Sequence, residues 1–531
     1  MIIGAAHPRP PAGPRTLVRP RLPARALLLA AAAIALAACA GHRTRPTGGP
    51  TIADLSTLPA VPVQTGALPS PQPAEAMENY RQFLQLQNAD PKLRAEAMRR
   101  LGDLNLESGV VQRMANEVTQ LDAQGAQAIQ LYTTLLKAYP DYPRNDQVLY
   151  QLARAYDTTG QTELALATLD RIVERYPHDS DLGEVQFRRG ELLFSAQRYA
   201  DAQKAYEAVL TLGRGGSNFY QQSLYKHAWA QFKQGLNTEA LASFADLLDY
   251  TLIDPADPAH VRDLGSLKHA DQELVDDTLR AMSISFSYLD GPKSVDALVA
   301  SRARMPYAWL LYQQLGELYV QKQRYQDAAA TDRAFVARDP VDAHAPLLSM
   351  AAIEAYRKGG FPDLMLQGKL EYVQRYDFPA PFWNGRTHAD FPQVVTQLRT
   401  NLKDVAQYYH ALAQKSRSNA DYASAAHWYR AYLSSFPNES DSAATNYLLA
   451  DALFESQQYL PAATEYEHTA YGYPPHRQAA DAGYAALVSY QKYEASLPAA
   501  ARPAAHLQAI NSALKFAQAF PAHPEAATVL T

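Results

Sequence analysis

The sequence predicts an all-α protein built from consecutive pairs of antiparallel helices. Alanine, leucine, glutamine and tyrosine are abundant and runs of β-branched residues are scarce, which favours helices over strands. Within residues 146–214, one helix-pair pattern occurs twice. In its first copy Leu149, Leu152 and Ala153 fall at i, i+3 and i+4, the spacing of one helical face. Because each repeated unit packs only on its neighbours, 531 residues can fold without one oversized core.

The two copies carry small residues where their paired helices are expected to cross. Ala153 and Ala165 of the first copy correspond to Gly190 and Ala202 of the second, 37 residues further on (202 − 165). Counting in both directions from this pair, the second-helix alanines at 128, 165, 202 and 240 keep a nearly constant spacing. A larger side chain would push such helices apart. We therefore expect these small residues to be buried.

This pattern of small, aromatic and proline positions resembles the tetratricopeptide repeat (TPR). The resemblance implies a right-handed solenoid of antiparallel helix pairs that binds other proteins. The Tyr-Pro pair that closes the second helix, at Tyr139-Pro140 and Tyr176-Pro177, is similar to that of BamD-type and CpoB-type periplasmic TPR proteins. At the level of repeat type, the resemblance runs from about residue 120 to residue 521, with interruptions near residues 252–308 and 377–392.

Residues 1–38 have the order of a secretory signal. Arginines precede the apolar run Ala26–Ala38, which is too short to span a bilayer. The run ends at the only cysteine of the chain, Cys39, in a Leu-Ala-Ala-Cys sequence that resembles the lipobox of bacterial lipoproteins. That resemblance implies cleavage before Cys39, a diacylglycerol on its sulfur and, with Ala40 next, the outer membrane. The alternative is an ordinary secretory signal with an incidental cysteine.

Composition and repeat strength divide the rest of the chain. Residues 39–75, rich in proline, threonine, glycine and serine, predict a disordered tether. The predicted segments are an N-terminal repeat array (76–251), an inserted loop with a degenerate helical unit (252–308), further units (309–376), a loop (377–392) and a C-terminal array (393–531). Residues 523–531 resemble the start of another first helix, so we expect the natural chain to continue beyond Thr531.

Charge and cysteine content exclude several classes of function. The net charge is −5, and residues 1–38 contribute five arginines and no acid, which leaves −10 (−5 − 5) for the remainder. No dense basic run occurs, which argues against nucleic acid as the main partner. One cysteine excludes an intrachain disulfide and any multi-cysteine metal site.

The sequence favours a protein without catalytic activity or cofactor. No Gly-x-Ser-x-Gly, His-Glu-x-x-His or phosphate-loop pattern occurs. The inserted loop contains histidines and aspartates whose spacing matches no metal-ligand pattern, which favours a solvated acidic loop over a metal site. These residues are His260, His269, Asp254, Asp257 and Asp271.

Aromatic and charged residues recur at the first-helix positions that line the inner groove of TPR proteins. They are Tyr150, Arg154, Phe187, Glu191, Phe194, Tyr225, Trp229, Phe232 and Lys233, and later Tyr447, Asp451 and Phe454. Aromatic rings supply contact area and charges select orientation, so this set suits an extended or helical segment of another protein. The alternative is that several of these rings pack on the neighbouring helix.

Together the resemblances imply a non-catalytic scaffold lipoprotein of the bacterial cell envelope. It would face the periplasm from the outer membrane, anchored through lipidated Cys39, and bind envelope proteins or their extended segments in an envelope-assembly complex. Two other functions stay open. One is a glycan-binding lipoprotein of the SusD type, which also uses TPR units, and the other is the helical part of a peptidoglycan-active enzyme.

Overall fold

The computed structural model describes residues 72–86, 89–114, 121–302 and 305–530. The predicted signal, Cys39 and the tether up to residue 71 lie outside these described residues. The described α-helices are α1 (Pro73–Gln85), α2 (Pro91–Met114), α3 (Leu121–Ala138), α4 (Asn145–Thr158), α5 (Thr162–Arg175), α6 (Leu182–Ser195), α7 (Tyr199–Leu210), α8 (Tyr220–Lys233), α9 (Asn237–Leu252), α10 (His269–Tyr288), α11 (Pro292–Ser301), α12 (Ala308–Gln321), α13 (Tyr325–Arg338), α14 (Ala345–Gly359), α15 (Pro362–Tyr376), α16 (Pro392–Ser416), α17 (Asn419–Ser435), α18 (Ser442–Glu455), α19 (Tyr459–Tyr471), α20 (Ala479–Ser496) and α21 (Arg502–Ala519).

The helices pack as a linear array, which confirms the predicted all-α repeat fold. Most helices contact chiefly the helix before and the helix after them in the chain. The degenerate unit departs from this order, because α10 packs on α9 and on α12 while the short α11 contacts α10, α12 and α13. No helix in the described part of the chain combines the length and the apolar character that a membrane crossing requires.

The crossing positions are occupied as the spacing predicts. Second-helix alanines, Ala165 and Ala202 among them, are 0% exposed. Gly190 faces the ring of Tyr206 so closely that a Cβ there would lie 2.5 Å from the Tyr206 Cε1 atom. Non-bonded carbon atoms do not come as close as 2.5 Å in folded proteins. Only a residue without a Cβ therefore permits this crossing at position 190.

The turn between paired helices is also a repeated structure. Seven residues after the first-helix small residue, the backbone takes a positive φ at Gly160, Gln197, Gly235, Gln323 and Gln457. In each turn the next amide donates to the carbonyl five residues back, for example Arg198 N to Leu193 O at 2.9 Å. This bond satisfies a carbonyl that the end of the helix would otherwise leave unpaired. The repeat therefore includes a C-terminal cap as well as a crossing.

Three segments differ from the sequence analysis. The inserted loop contains an antiparallel hairpin of β1 (Ile253–Asp254) and β2 (Asp257–Val261), with Ile253 opposite Val261. Helix α1 begins at Pro73, inside the predicted tether. The expected start of another first helix after residue 522 is wrong, because these residues form turns and one 3-10 turn (Thr528–Leu530). Ala526 is buried there in a cluster with Leu487 and Phe516.

The predicted loop between α15 and α16 is packed rather than solvated. Phe382 and Trp383 lie in a short 3-10 turn (Pro381–Trp383) and are both buried. The indole Nε1 of Trp383 donates to the Tyr376 carbonyl oxygen at 2.9 Å. Its aromatic residues therefore hold the end of α15 against the start of α16.

The crossing alanines allow a direct test of the repeat register. Replacing Ala165 or Ala202 by leucine should lower the free energy of unfolding by roughly 1–3 kcal/mol, because the added atoms overfill a closed helix–helix contact. The helical circular dichroism of the folded protein should remain. The measurement is the thermal unfolding midpoint, with Ala167→Leu, on the exposed side of the same helix as Ala165, as the matched control. Equal midpoints for all three variants would contradict the register.

Candidate protein-binding face

The first helices of consecutive units lie beside one another. The Tyr150 hydroxyl on α4 donates to Glu184 Oε1 on α6 at 2.5 Å. The Lys226 Nζ on α8 donates to Glu191 Oε2 on α6 at 3.0 Å. These bonds join α4 to α6 and α6 to α8, so the outward sides of the three helices form one continuous surface. We call this surface, together with its equivalents on later first helices, the first-helix face.

Most of the predicted groove residues do lie on this face. A similar hydrogen bond joins α8 to α10, because the Tyr225 hydroxyl donates to Asp277. Burial raises the pKa of Tyr150 and of Tyr225 to about 12, and the adjoining carboxylates add to the effect. The half-buried members are Tyr150, Glu191, Phe194, Tyr225, Trp229, Phe232, Tyr447, Asp451 and Phe454, and the exposed members are Arg154 and Lys233.

Phe187 is a correction to the sequence analysis. It is 7% exposed, stacks on Phe219 with ring centroids 4.8 Å apart, and lies 6.0 Å from the ring of Tyr206. The segment that precedes α8 therefore covers the ring that repeat spacing assigned to the groove. Phe187 stabilises the interior and does not contribute to the first-helix face.

The aromatic cluster on α8, Trp229 and Phe232, packs on a buried residue of the neighbouring helix α9. Trp229 meets Phe232 edge-to-face at 5.3 Å and Phe244, a fully buried residue of α9, at 5.9 Å. The Lys233 Nζ lies 6.0 Å from the Trp229 ring centroid, and the Lys226 Nζ lies 5.4 Å from that of Phe194. The packing on neighbouring helices agrees with the alternative interpretation, while partner binding by these rings stays a prediction. Each ring packs on a neighbouring helix and also presents a part of its surface outward.

A buried tyrosine links the interior to the charge on the face. Tyr206 on α7 lies four residues after the crossing alanine Ala202, and Glu191 on α6 directly follows the crossing glycine Gly190. The Tyr206 hydroxyl donates to Glu191 Oε1 at 2.6 Å. The pairs Tyr132–Asp103 (2.8 Å) and Tyr466–Asp451 repeat this arrangement. Burial raises the pKa of the Asp103 and Asp451 carboxyls, and the tyrosine hydroxyls oppose that shift.

This pairing of acid and hydroxyl is not found in every unit, since Tyr429 contacts His410 Nδ1 at 3.0 Å, and Glu317 occupies the acid position opposite Asp332, which has no hydroxyl. Where the second helix carries Leu169 or Phe244 in place of tyrosine, the first-helix position holds Arg154 or Trp229 in place of an acid. A buried hydroxyl needs an acceptor, whereas an aliphatic or phenyl side chain needs none. The sequence contained this signal, because Glu191 precedes Tyr206 by the same interval as Asp451 precedes Tyr466, and our sequence analysis did not use it.

Carboxylates line two of the cavities that open on the first-helix face in the described part of the chain. The first has a volume of 230 Å³ and includes Tyr150 and Glu184 together with Asp146, Asp179 and Asp181. Its one lining guanidinium, Arg99, donates to Glu96 at 2.6 Å and to Asp103 at 2.7 Å. Burial raises the pKa of Asp146, and the nearby Asp179 raises it further.

The second cavity has a volume of 310 Å³ and lies between α12, α13 and α14. Beside Gly316, its lining on α12 includes the register equivalents of groove positions on α8, namely Gln313, Glu317, Val320 and Gln321. These residues include no aromatic side chain, and for that reason they are absent from the predicted groove. Asp332, 4% exposed, reaches the cavity from α13.

The histidines and aspartates of the inserted segment do not converge. His260 contacts Asp257 at 2.9 Å, His269 lies 3.3 Å from Glu273, and Gln221 donates to Asp271 at 3.1 Å. Within the ranges that the structure describes, no group of three or more histidine, cysteine or acidic residues is arranged to hold a metal ion.

Sequence comparison identifies the repeat. Two family models described as tetratricopeptide repeat match the chain, one over residues 122–186 and the other over residues 222–250. Tetratricopeptide repeats are therefore detected in these two stretches of the chain. The second match covers most of α8 and α9, the helix pair that carries the aromatic cluster. TPR proteins in general are non-catalytic scaffolds that bind protein partners.

Comparison with solved structures gives matches of low sequence identity. A tetratricopeptide repeat protein from Parabacteroides merdae is 13% identical and covers 56% of this chain and 98% of its own, with a TM-score of 0.25. The APC/C hetero-tetramer Cut9–Hcn1 is 13% identical over 85% of this chain and 97% of its own, with a TM-score of 0.28. Yeast Tom70 is 13% identical over 83% and 99%, with a TM-score of 0.20. No curated protein matches the chain significantly in sequence.

The hydroxyl of Tyr206 should contribute measurably to stability. Tyr206→Phe removes the hydrogen bond to Glu191 and leaves the ring packing intact, so we expect a loss of about 1 kcal/mol in the free energy of unfolding. The measurement is chemical denaturation followed by circular dichroism. The control is Tyr288→Phe, since Tyr288 is 69% exposed and should tolerate loss of its hydroxyl. Equal stability of both variants would show that the buried pair does not stabilise the unit.

Proposed function

We propose that this protein is a non-catalytic TPR scaffold that binds a segment of another protein along its first-helix face. The observation that carries the proposal is the row of partly exposed aromatic rings on α6 and α8, Phe194, Trp229 and Phe232 among them. Rings fixed by packing beneath them lose little conformational freedom on binding, which favours association. The first-helix face can accommodate an extended strand or one face of a helix.

We further propose that the helical array is attached to the bacterial outer membrane through Cys39 and faces the periplasm. The sequence supports this, because an arginine-rich start, a short apolar run and Leu-Ala-Ala-Cys follow in the order of a lipoprotein signal. Between Cys39 and α1, residues 40–72 would reach from roughly 30 Å as a coil to about 100 Å when extended. Such a tether lets the first-helix face meet partners away from the membrane surface.

Site-specific photocrosslinking in the native bacterium tests the binding face. A photoreactive amino acid at Phe194 or Phe232 should give adducts of the same defined mass with an envelope protein, because both positions lie on one partner segment. The same group at Leu164, 48% exposed on the second helix α5, is the control and should give no such adduct. Adducts of equal yield at all three positions, or none at Phe194 and Phe232, would contradict the proposed face.

Metabolic labelling with an alkynyl fatty acid tests the anchor. The wild-type protein should incorporate the label and sediment with outer membranes. Cys39→Ser removes the only thiol of the chain and should abolish both properties while leaving the helical circular dichroism unchanged. Incorporation of label into Cys39→Ser, or its continued sedimentation with membranes after a high-salt wash, would contradict lipid attachment at this residue.

A further inference from the structure

The cavity between α12, α13 and α14 occupies space that aromatic rings fill in most other units. In six other units, the residue four positions after the crossing alanine of the second helix is large. These residues are Tyr132, Leu169, Tyr206, Phe244, Tyr429 and Tyr466. On α13 the crossing alanine is Ala328 and the equivalent residue is Asp332. The chain therefore places a short, charged side chain where most of its other units place a ring.

The opposing helix nevertheless has the glycine that a ring requires. Gly190 and Gly102 admit the rings of Tyr206 and Tyr132, which lie 2.5 and 2.6 Å from the position of an added Cβ. Gly316 is their equivalent on α12, and an added Cβ there would lie 2.8 Å from Asp332 Oδ1. Because the Asp332 side chain is much smaller than a tyrosine ring, the space opposite Gly316 is left as a cavity. The Asp332 carboxylate forms the floor of this cavity.

The Asp332 carboxylate has no partner within the described part of the chain. It is 4% exposed, and no hydrogen bond or ion pair to it is found among these residues. Burial raises the pKa of Asp332 well above its ordinary value, and the negative charge of Glu317 raises it further. A buried carboxylate without a donor or cation is unfavourable, so this arrangement is suited to a ligand that supplies both.

The charges around the cavity indicate the chemistry of that ligand. Among the residues that the structure describes, Glu317, exposed at the mouth, accepts a hydrogen bond only from the neutral Gln313 amide, at 3.0 Å. Glu354 is balanced, because it pairs with Arg357 at 2.6 Å and lies 3.9 Å from Lys358. The two carboxylates without a cation are thus Asp332 at the floor and Glu317 at the mouth.

The walls of the cavity are apolar. Val320, Leu347, Leu348 and Ala351 line the cavity together with the two carboxylates, and Leu347 is 44% exposed. A long side chain with an aliphatic stem and a cationic end can pack its stem on these residues and bring its charge to Asp332.

We propose that this cavity binds the cationic side chain of an arginine or lysine from the partner segment. The inference rests on the proposed function, since the cavity lies on the first-helix face, and it assigns that partner a basic residue in register with α12. The fit to arginine is better, because a guanidinium can donate to both carboxylates at once. The acidic cavity beside Tyr150 and the net charge of −10 beyond residue 38 also favour a basic segment.

Binding of a matched peptide series to the full-length protein tests the proposal. The probes are fluorescent nine-residue peptides of alanine, serine and leucine with one central arginine, lysine, citrulline or glutamate, measured by anisotropy at low salt. The arginine and lysine peptides should bind at least about tenfold more tightly than the citrulline peptide, since a charge-assisted hydrogen bond is lost with the charge. Citrulline controls for shape because it retains the planar end group without the charge.

Two substitutions at Asp332 separate recognition from folding. Asp332→Asn keeps the shape, and Asp332→Tyr restores the ring of the other units opposite Gly316, with Glu317 as the acceptor of its hydroxyl. Both should fold and remove the preference for arginine over citrulline. Asp339→Asn, which removes an exposed charge at the end of the same helix, should keep that preference.

The pH dependence provides a second readout. Protons and the cationic side chain compete for Asp332, so the arginine preference should fall as the pH is lowered through the raised pKa of Asp332. Glu317 on α12 and Glu354 and Lys358 on α14 face the same cavity and contribute to the titration. Asp332→Asn should melt at a higher temperature than the wild type at neutral pH, because the unfavourable buried charge is gone.

Equal affinities for arginine and citrulline in the wild type would overturn the inference, as would the absence of saturable binding by the arginine peptide. A preference that persists in Asp332→Asn would also overturn it, because another acid would then be responsible. In each of these cases, crosslinks at Phe194 and Phe232 would still support the scaffold function. Arginine-selective binding without such crosslinks would instead contradict the proposed aromatic face and leave the cavity assignment standing.

Discussion

The close crossing of two helices at a pair of small residues is the contact on which the rest of the array depends. Ala165 and Ala202 are fully buried at their crossings, and Gly190 admits the Tyr206 ring at a distance that no side chain would permit. Because the crossing sets the register of a helix pair, the left-handed turn residue follows it at a constant interval. The residue four positions after the crossing alanine is likewise directed toward the first helix.

That register couples the interior of each unit to the charge on its surface. In the unit with Tyr206, for example, the first helix supplies Glu191 as an acceptor, and this acid occupies a position on the first-helix face. Where the interior residue is Leu169 or Phe244, the face carries Arg154 or Trp229. Buried hydroxyl groups require hydrogen-bond acceptors. Some of the charged groups that a partner would meet on the first-helix face are therefore there because a buried tyrosine needs an acceptor.

Prediction from the sequence succeeded where the signal is local and periodic. Helical spacing located the helix pairs, and the crossing alanines are buried as expected. It failed where burial depends on a distant segment. Phe187 occupies a groove position by spacing, yet the residues before α8 cover it through Phe219. The hairpin near Ile253 has too short a pattern to be recognised, and Ala526 packs on Leu487 in place of continuing a helix.

By itself, the sequence determined the type of repeat, its length and the residues that cross, because helix geometry converts spacing along the chain directly into a shared face. Only the tertiary structure decided which rings keep an exposed surface and which acids have partners. Asp332 illustrates the difference. Its position in the repeat was visible in the sequence, but its isolation follows from Gly316 on one helix and apolar walls on another. The burial of a side chain depends on all the residues that surround it in the fold. Many of these residues are distant in the sequence, so a local sequence pattern does not include them.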